Sequence, residues 1–141
     1  MENAERPLPQ PDDDSAPYWQ AAARGELQLQ RCGSCRAFRF PPRPRCARCG
    51  SDAIAWERVS GRGTIYSFVV AHAPVLPAFA ARVPFAIALV ELDEDPQLRI
   101  VGNLPDVPVE AVQIGMRVVV DFEAVADGVA LPQWRRLGSR E

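Results

Sequence analysis

Three patterns of apolar and polar positions follow one another along the chain. From Ser15 to Ala23 the apolar residues fall at helical spacing. Tyr18, Trp19, Ala22 and Ala23 share a face, Ser15 is placed to cap the first turn, Pro17 is tolerated within it, and Gly25 ends the helix. Residues Glu26 to Arg31 then alternate polar and apolar, the period of a half-buried strand, and deliver the chain to Cys32. Ile54–Val59 reads as a return strand. Beyond Gly63 the pattern predicts strands at Thr64–Val70, Phe85–Leu92, Leu98–Leu104, Arg117–Ala124 and Val129–Trp134, with Asp127-Gly128 as the tight turn joining the last two. Five strands with a longer loop after the first predict a small closed barrel of the oligonucleotide/oligosaccharide-binding (OB) type. The expected organisation is mainly β: a flexible tail (1–14), a helix and lead strand (15–31), a cysteine-rich ribbon (32–58), an OB barrel (59–137) and a short tail (138–141).

Composition narrows the function classes. Hydrophobic residues make up 48% of the chain, enough for a packed core. No apolar run approaches a membrane span, and the proline-rich, acidic start lacks the basic and apolar segments of a secretory signal, so a cytoplasmic protein is expected. All sixteen basic residues are arginine, which excludes a Schiff-base lysine. The formal net charge of −2 argues against a general nucleic-acid surface. The charge is unevenly spread: residues 31–50 hold six arginines and no acid.

Within that basic island lies the strongest chemical signal, Cys32-x2-Cys35-x10-Cys46-x2-Cys49. Each Cys-x-x-Cys turn aims two sulfurs at one centre, and two such turns complete a tetrahedral thiolate site. Disulfides do not suit a reducing compartment. Zinc is expected over iron, because iron in this geometry implies electron transfer and nothing else in the chain points to a redox partner. Four thiolates fill the coordination sphere, so the metal is expected to be structural. Guanidinium groups nearby would offset the net charge of zinc with four thiolates and hydrogen-bond sulfur and backbone. Arg39, Arg43 and Arg45, on the stiff segment Phe38–Arg45, fit equally a solvated surface or a grip on phosphate or carboxylate.

The remaining candidates are weaker. His72 has no identifiable nucleophile or carboxylate in sequence and reads as a surface or interface residue. The apolar, proline-stiffened segment Pro74–Phe79 reads either as a loop folded over the barrel mouth or as a partner surface. Glu91, Asp93, Glu94 and Asp95, followed by Pro96, read as a solvated turn. The aromatic residues are not interleaved with cations as a single-strand nucleic-acid platform requires.

The order of these features resembles a bacterial and archaeal family of acyl-CoA-associated proteins with a rubredoxin-like zinc ribbon followed by an OB-fold. The resemblance is carried by Tyr18-Trp19, Gly25-Glu26-Leu27, the four cysteines, Phe40-Pro41-Pro42-Arg43 and Gly61–Phe68. It continues through His72 and Pro74, Val83-Pro84-Phe85, Val90-Glu91-Leu92, Ile114-Gly115-Met116 and Leu131-Pro132, and spans residues 16–137. Asp93-Glu94-Asp95 departs from it, since family members often have glycine in that turn. The resemblance implies a non-catalytic subunit or domain beside a thiolase-superfamily enzyme or a hot-dog-fold hydratase, in a hetero-oligomer that handles acyl-CoA, including aldol cleavage in steroid side-chain breakdown. It implies no catalytic residues here. Arg39, Arg43, Arg45, His72 and Phe79 are the candidate contacts to a partner or to coenzyme A. A single-stranded nucleic-acid module and a rubredoxin-like electron carrier are the competing readings.

Overall fold

A computed structural model describes residues 6–138. Helix α1 (Ala16–Ala23) leads into a three-stranded antiparallel ribbon sheet, β1 (Gln28–Cys32), β2 (Phe38–Arg39) and β3 (Ile54–Arg58), in the order β2-β1-β3. A five-stranded sheet follows: β4 (Arg62–Ala71), β5 (Phe85–Leu92), β6 (Asp95–Asn103), β7 (Arg117–Ala126) and β8 (Val129–Arg136), in the order β6-β5-β4-β7-β8. The five expected strands are all present, and the sheet curls into an OB half-barrel. No helix among the described residues is long and apolar enough to cross a membrane.

The barrel core follows from strict alternation. Along β5, Ala86, Ala88, Val90 and Leu92 are buried while their neighbours are half-exposed, so one face packs on Ile65, Leu98, Ile100, Val118 and Trp134. Among the described residues the barrel does not close through a ladder. Its edge strands β6 and β8 instead meet side to backbone: the buried Gln133 accepts a hydrogen bond from the Asn103 backbone N–H at 2.6 Å, and its amide donates to Glu123 at 2.8 Å. Gly102 permits this approach, since a Cβ there would stand 2.9 Å from the Trp134 ring and from the Pro132 carbonyl oxygen.

The helix start differs from expectation. Ser15 makes no cap bond to the helix; it is itself in the helical region, and its N–H donates to Asp12 Oδ1 at 2.8 Å while its hydroxyl accepts from the Asp12 N–H at 3.1 Å. This reciprocal pair is a capping box one turn earlier, with Ala16 N–H donating to the Asp12 carbonyl. The far end behaves as expected: Gly25, at φ +80°, sits in a Schellman motif with Glu26 N–H reaching back to Ala21. The buried face is Tyr18, Ala21 and Ala22, with Ala23 exposed. Tyr18 packs edge-on to Trp19 and against Phe40, which ties the helix to the ribbon tip.

The acidic turn between β5 and β6 is a structural clasp. Asp93 takes both guanidinium nitrogens of Arg117 at 2.6 and 2.8 Å, and Glu94 accepts the Ser60 N–H at 2.8 Å.

Candidate metal centre and adjoining apolar face

The first knuckle turns at the end of β1, where Cys32 is fully buried, and the second is the separate turn Cys46–Cys49. Gly33 lets the first knuckle lie against the return strand, since a Cβ there would stand 2.9 Å from that of Ala53. The two turns bring all four Sγ atoms within 4.8 Å of one another, with Cys32–Cys49 and Cys35–Cys46 each at 3.6 Å. Tetrahedral thiolates at about 2.3 Å from a zinc ion stand about 3.8 Å apart, a spacing that the two 3.6 Å pairs match.

Backbone N–H groups prepare the sulfurs for metal. Ser34 and Cys35 point theirs at Cys32 Sγ (3.3 and 3.4 Å), and Arg48 points its own at Cys46 Sγ (3.3 Å). The Cys35 N–H brings the Cys32 thiol down to about 6 against the opposing effect of burial, and the Cys49 and Arg48 N–H groups lower Cys46. At Cys49 the Ser51 N–H pulls down, but the neighbouring Cys32 sulfur and burial prevail, and the thiol rises to about 11. Four adjacent sulfurs do not all ionise alone; a dication completes the set. The ribbon is a structural metal-binding unit.

The arginine island resolves into two groups. Gln30, which alternation would place in solvent, is buried, and its Oε1 accepts from Arg39 Nε at 2.6 Å and from the Arg43 N–H at 2.8 Å. Arg39 also donates to the Arg43 carbonyl, Arg45 to the Gly50 carbonyl at 3.0 Å, and Arg31 to the Arg36 carbonyl and Glu57. Guanidinium groups thus brace the backbone, and the bonds to sulfur come from backbone N–H groups instead. Among the described residues, the Arg43 and Arg48 guanidinium groups have no hydrogen-bond or ion-pair partner.

His72 is exposed just beyond β4, remote in sequence from the cysteines and in no side-chain hydrogen bond among the described residues. Phe79 packs on Phe85 at 6.2 Å and lies under the Arg6 guanidinium at 5.6 Å. Arg6 in turn pairs with Glu123 at 3.3 Å. Phe79 and Phe85 divide two hollows. One, of about 530 Å³, opens toward Arg82 and Glu110; the other is an apolar groove of about 690 Å³ with Trp19, Phe40, Leu76, Ile87 and Val101 in its lining. Sequence reasoning missed this groove, which arises where the ribbon tip and helix meet the outer face of the barrel, and Gln30, which the ribbon's own Phe38–Arg43 turn covers.

Two family descriptions match consecutive parts of the chain: the rubredoxin-like zinc ribbon domain of ChsH2 over residues 19–55, and the C-terminal OB-fold domain of ChsH2 over residues 56–123. Among solved structures, the fold superposes on a chain of the Ltp2-ChsH2(DUF35) aldolase with a TM-score of 0.83 and 38% identity, covering 91% of this chain and 98% of that one. Among curated proteins, the chain is 40% identical to a probable enoyl-CoA hydratase alpha subunit of Thermomonospora curvata. It is 37% identical to the 3-oxo-4,17-pregnadiene-20-carboxyl-CoA hydratase alpha subunit of Mycobacterium tuberculosis. These alignments take in 92% and 89% of this chain but 40% and 37% of the two relatives' lengths.

Proposed function

Since the chain belongs to the ChsH2 (DUF35) family of zinc-ribbon and OB-fold proteins, we propose that it is a non-catalytic accessory subunit or domain of an acyl-CoA-processing enzyme. Its partner is a thiolase-superfamily subunit that carries the chemistry, and the substrates are acyl-CoA thioesters of the kind formed in steroid side-chain degradation. The observation that carries this reading is the near-complete superposition on a chain of a two-component aldolase, at 98% coverage of that chain. The names of the curated relatives, both alpha subunits acting on CoA thioesters, support the substrate class.

In this reading the metal is zinc, and its work is structural. It holds the ribbon so that Phe40 packs on Tyr18, and so that Arg39 and Arg45 brace the loop that presents Arg43. Arg43 is then the guanidinium that meets an anionic group, a coenzyme A phosphate or a partner carboxylate. His72 and Phe79 are proposed to face the partner. The test is isolation of the tagged chain from its native host. A thiolase-superfamily subunit recovered in stoichiometric amount is the expected result; recovery of the chain alone and monomeric at native concentration contradicts it.

A further inference from the structure

β4 has two unlike halves. Arg62–Thr64 pairs with β5 on one side and β7 on the other, and Ile65 still exchanges bonds with Gly115 and Met116. The register then shifts between Ile65 and Ser67, a bulge at Tyr66 that bends the strand away from β7. Among the described residues, Tyr66–Ala71 has backbone partners on its β5 side only. Every second N–H and C=O of this run therefore faces outward along about 20 Å of strand.

Unpaired edges in folded proteins are usually guarded by charge, proline or cover. The other edges here follow that rule. β2 is two residues long, β3 carries Glu57 and Arg58, β6 and β8 close on each other through Gln133, and the upper half of β7 carries Asp121 and Glu123. Tyr66-Ser67-Phe68-Val69-Val70-Ala71 has neither charge nor proline, and its Val69 is 59% exposed. At its start the Arg99 guanidinium, paired with Glu91, lies 4.0 Å over the Tyr66 ring; beyond that pair the outer sheet face is apolar, the register setting Val69 next to Ile87, and Leu89 next to Val101, itself 56% exposed. Such a run is an aggregation hazard unless something pairs with it.

We propose that the free edge of β4, Tyr66–Ala71, accepts an extended strand from the partner enzyme subunit, and that the body of that subunit covers Val69, Leu89 and Val101. This rests on the accessory reading above. A peptide strand is the occupant because only another backbone offers alternating donors and acceptors at this spacing; a lipid surface or a nucleic acid does not. A heterologous partner is favoured over a second copy because the solved chain on which this one superposes is described as part of a two-component aldolase.

The experiment is hydrogen exchange on the full chain, alone and mixed with the Ltp2 subunit of that aldolase, with complex formation followed in parallel by size-exclusion chromatography. Exchange in peptides spanning Tyr66–Ala71 should slow by about tenfold or more in the complex. Val69→Lys, on an exposed side chain, should weaken the complex by about tenfold with the thermal midpoint retained. A complex that forms while exchange at Tyr66–Ala71 is unchanged overturns the edge proposal and leaves the accessory reading standing. Absence of any complex overturns the accessory reading itself. Protection that appears in the chain alone and grows with its concentration identifies a second copy as the occupant and overturns the partner strand.

Discussion

Gln30 and Asp93 show how single side chains fix the geometry around the ribbon and the barrel rim. Gln30 sits on the polar side of an alternating strand, yet it is buried because the Phe38–Arg43 turn folds over it and uses its carbonyl oxygen twice. Periodicity within one strand cannot reveal that, since the cover comes from residues several positions away. The arginine island itself was legible; which arginines would be consumed internally was not. Asp93 joins the β5–β6 turn to β7 through Arg117, whose hydrogen bonds hold the Asp93 carboxyl below the usual aspartate range. Both side chains are well exposed, so Asp93→Asn should cost about 0.5–1 kcal/mol in urea unfolding at neutral pH. A depressed folded-state pKa contributes stability that is present above the ordinary aspartate value and is lost as pH falls through the folded one. The difference between the wild type and Asp93→Asn should therefore close below about pH 4.

At the level of elements, much of the fold was readable because each piece obeys one period. β5 alternates buried and half-exposed over its whole length, and the doubled Cys-x-x-Cys spacing names its own centre. The misplaced helix cap has a local cause: Asp12, at the edge of a stretch expected to be a flexible tail, competes with Ser15 and gains a reciprocal hydrogen bond by starting one turn earlier. Barrel closure without a ladder was not readable, because it depends on Gln133 and Gly102 coming together from strands 30 residues apart. The ribbon has three short strands and is too small for a core of its own, so metal should dominate its stability, by an amount on the order of 10 kcal/mol. Cys46→Ser should lower bound zinc well below one equivalent, measured by elemental analysis. It should also expose ribbon amides to rapid exchange while those of β5 stay protected. Full zinc retention with an unchanged ribbon would contradict the four-sulfur site.

For the whole molecule, the parts serve one arrangement. The metal fixes the ribbon, the ribbon tip packs on α1 through Phe40 and Tyr18, and α1 rests against β7 and β8. The exterior of this arrangement carries an apolar groove and the exposed Val69 on the β4 edge. Those surfaces make sense on a protein that works in contact with another subunit. The most direct measurement is the mass of the assembly formed when the purified chain is mixed with the thiolase-superfamily subunit of its own host proposed as its partner, by light scattering on a size-exclusion column. One peak containing both chains in a fixed ratio is the expected result. Two peaks at the masses of the separate proteins, across micromolar concentrations of each, would contradict the accessory role.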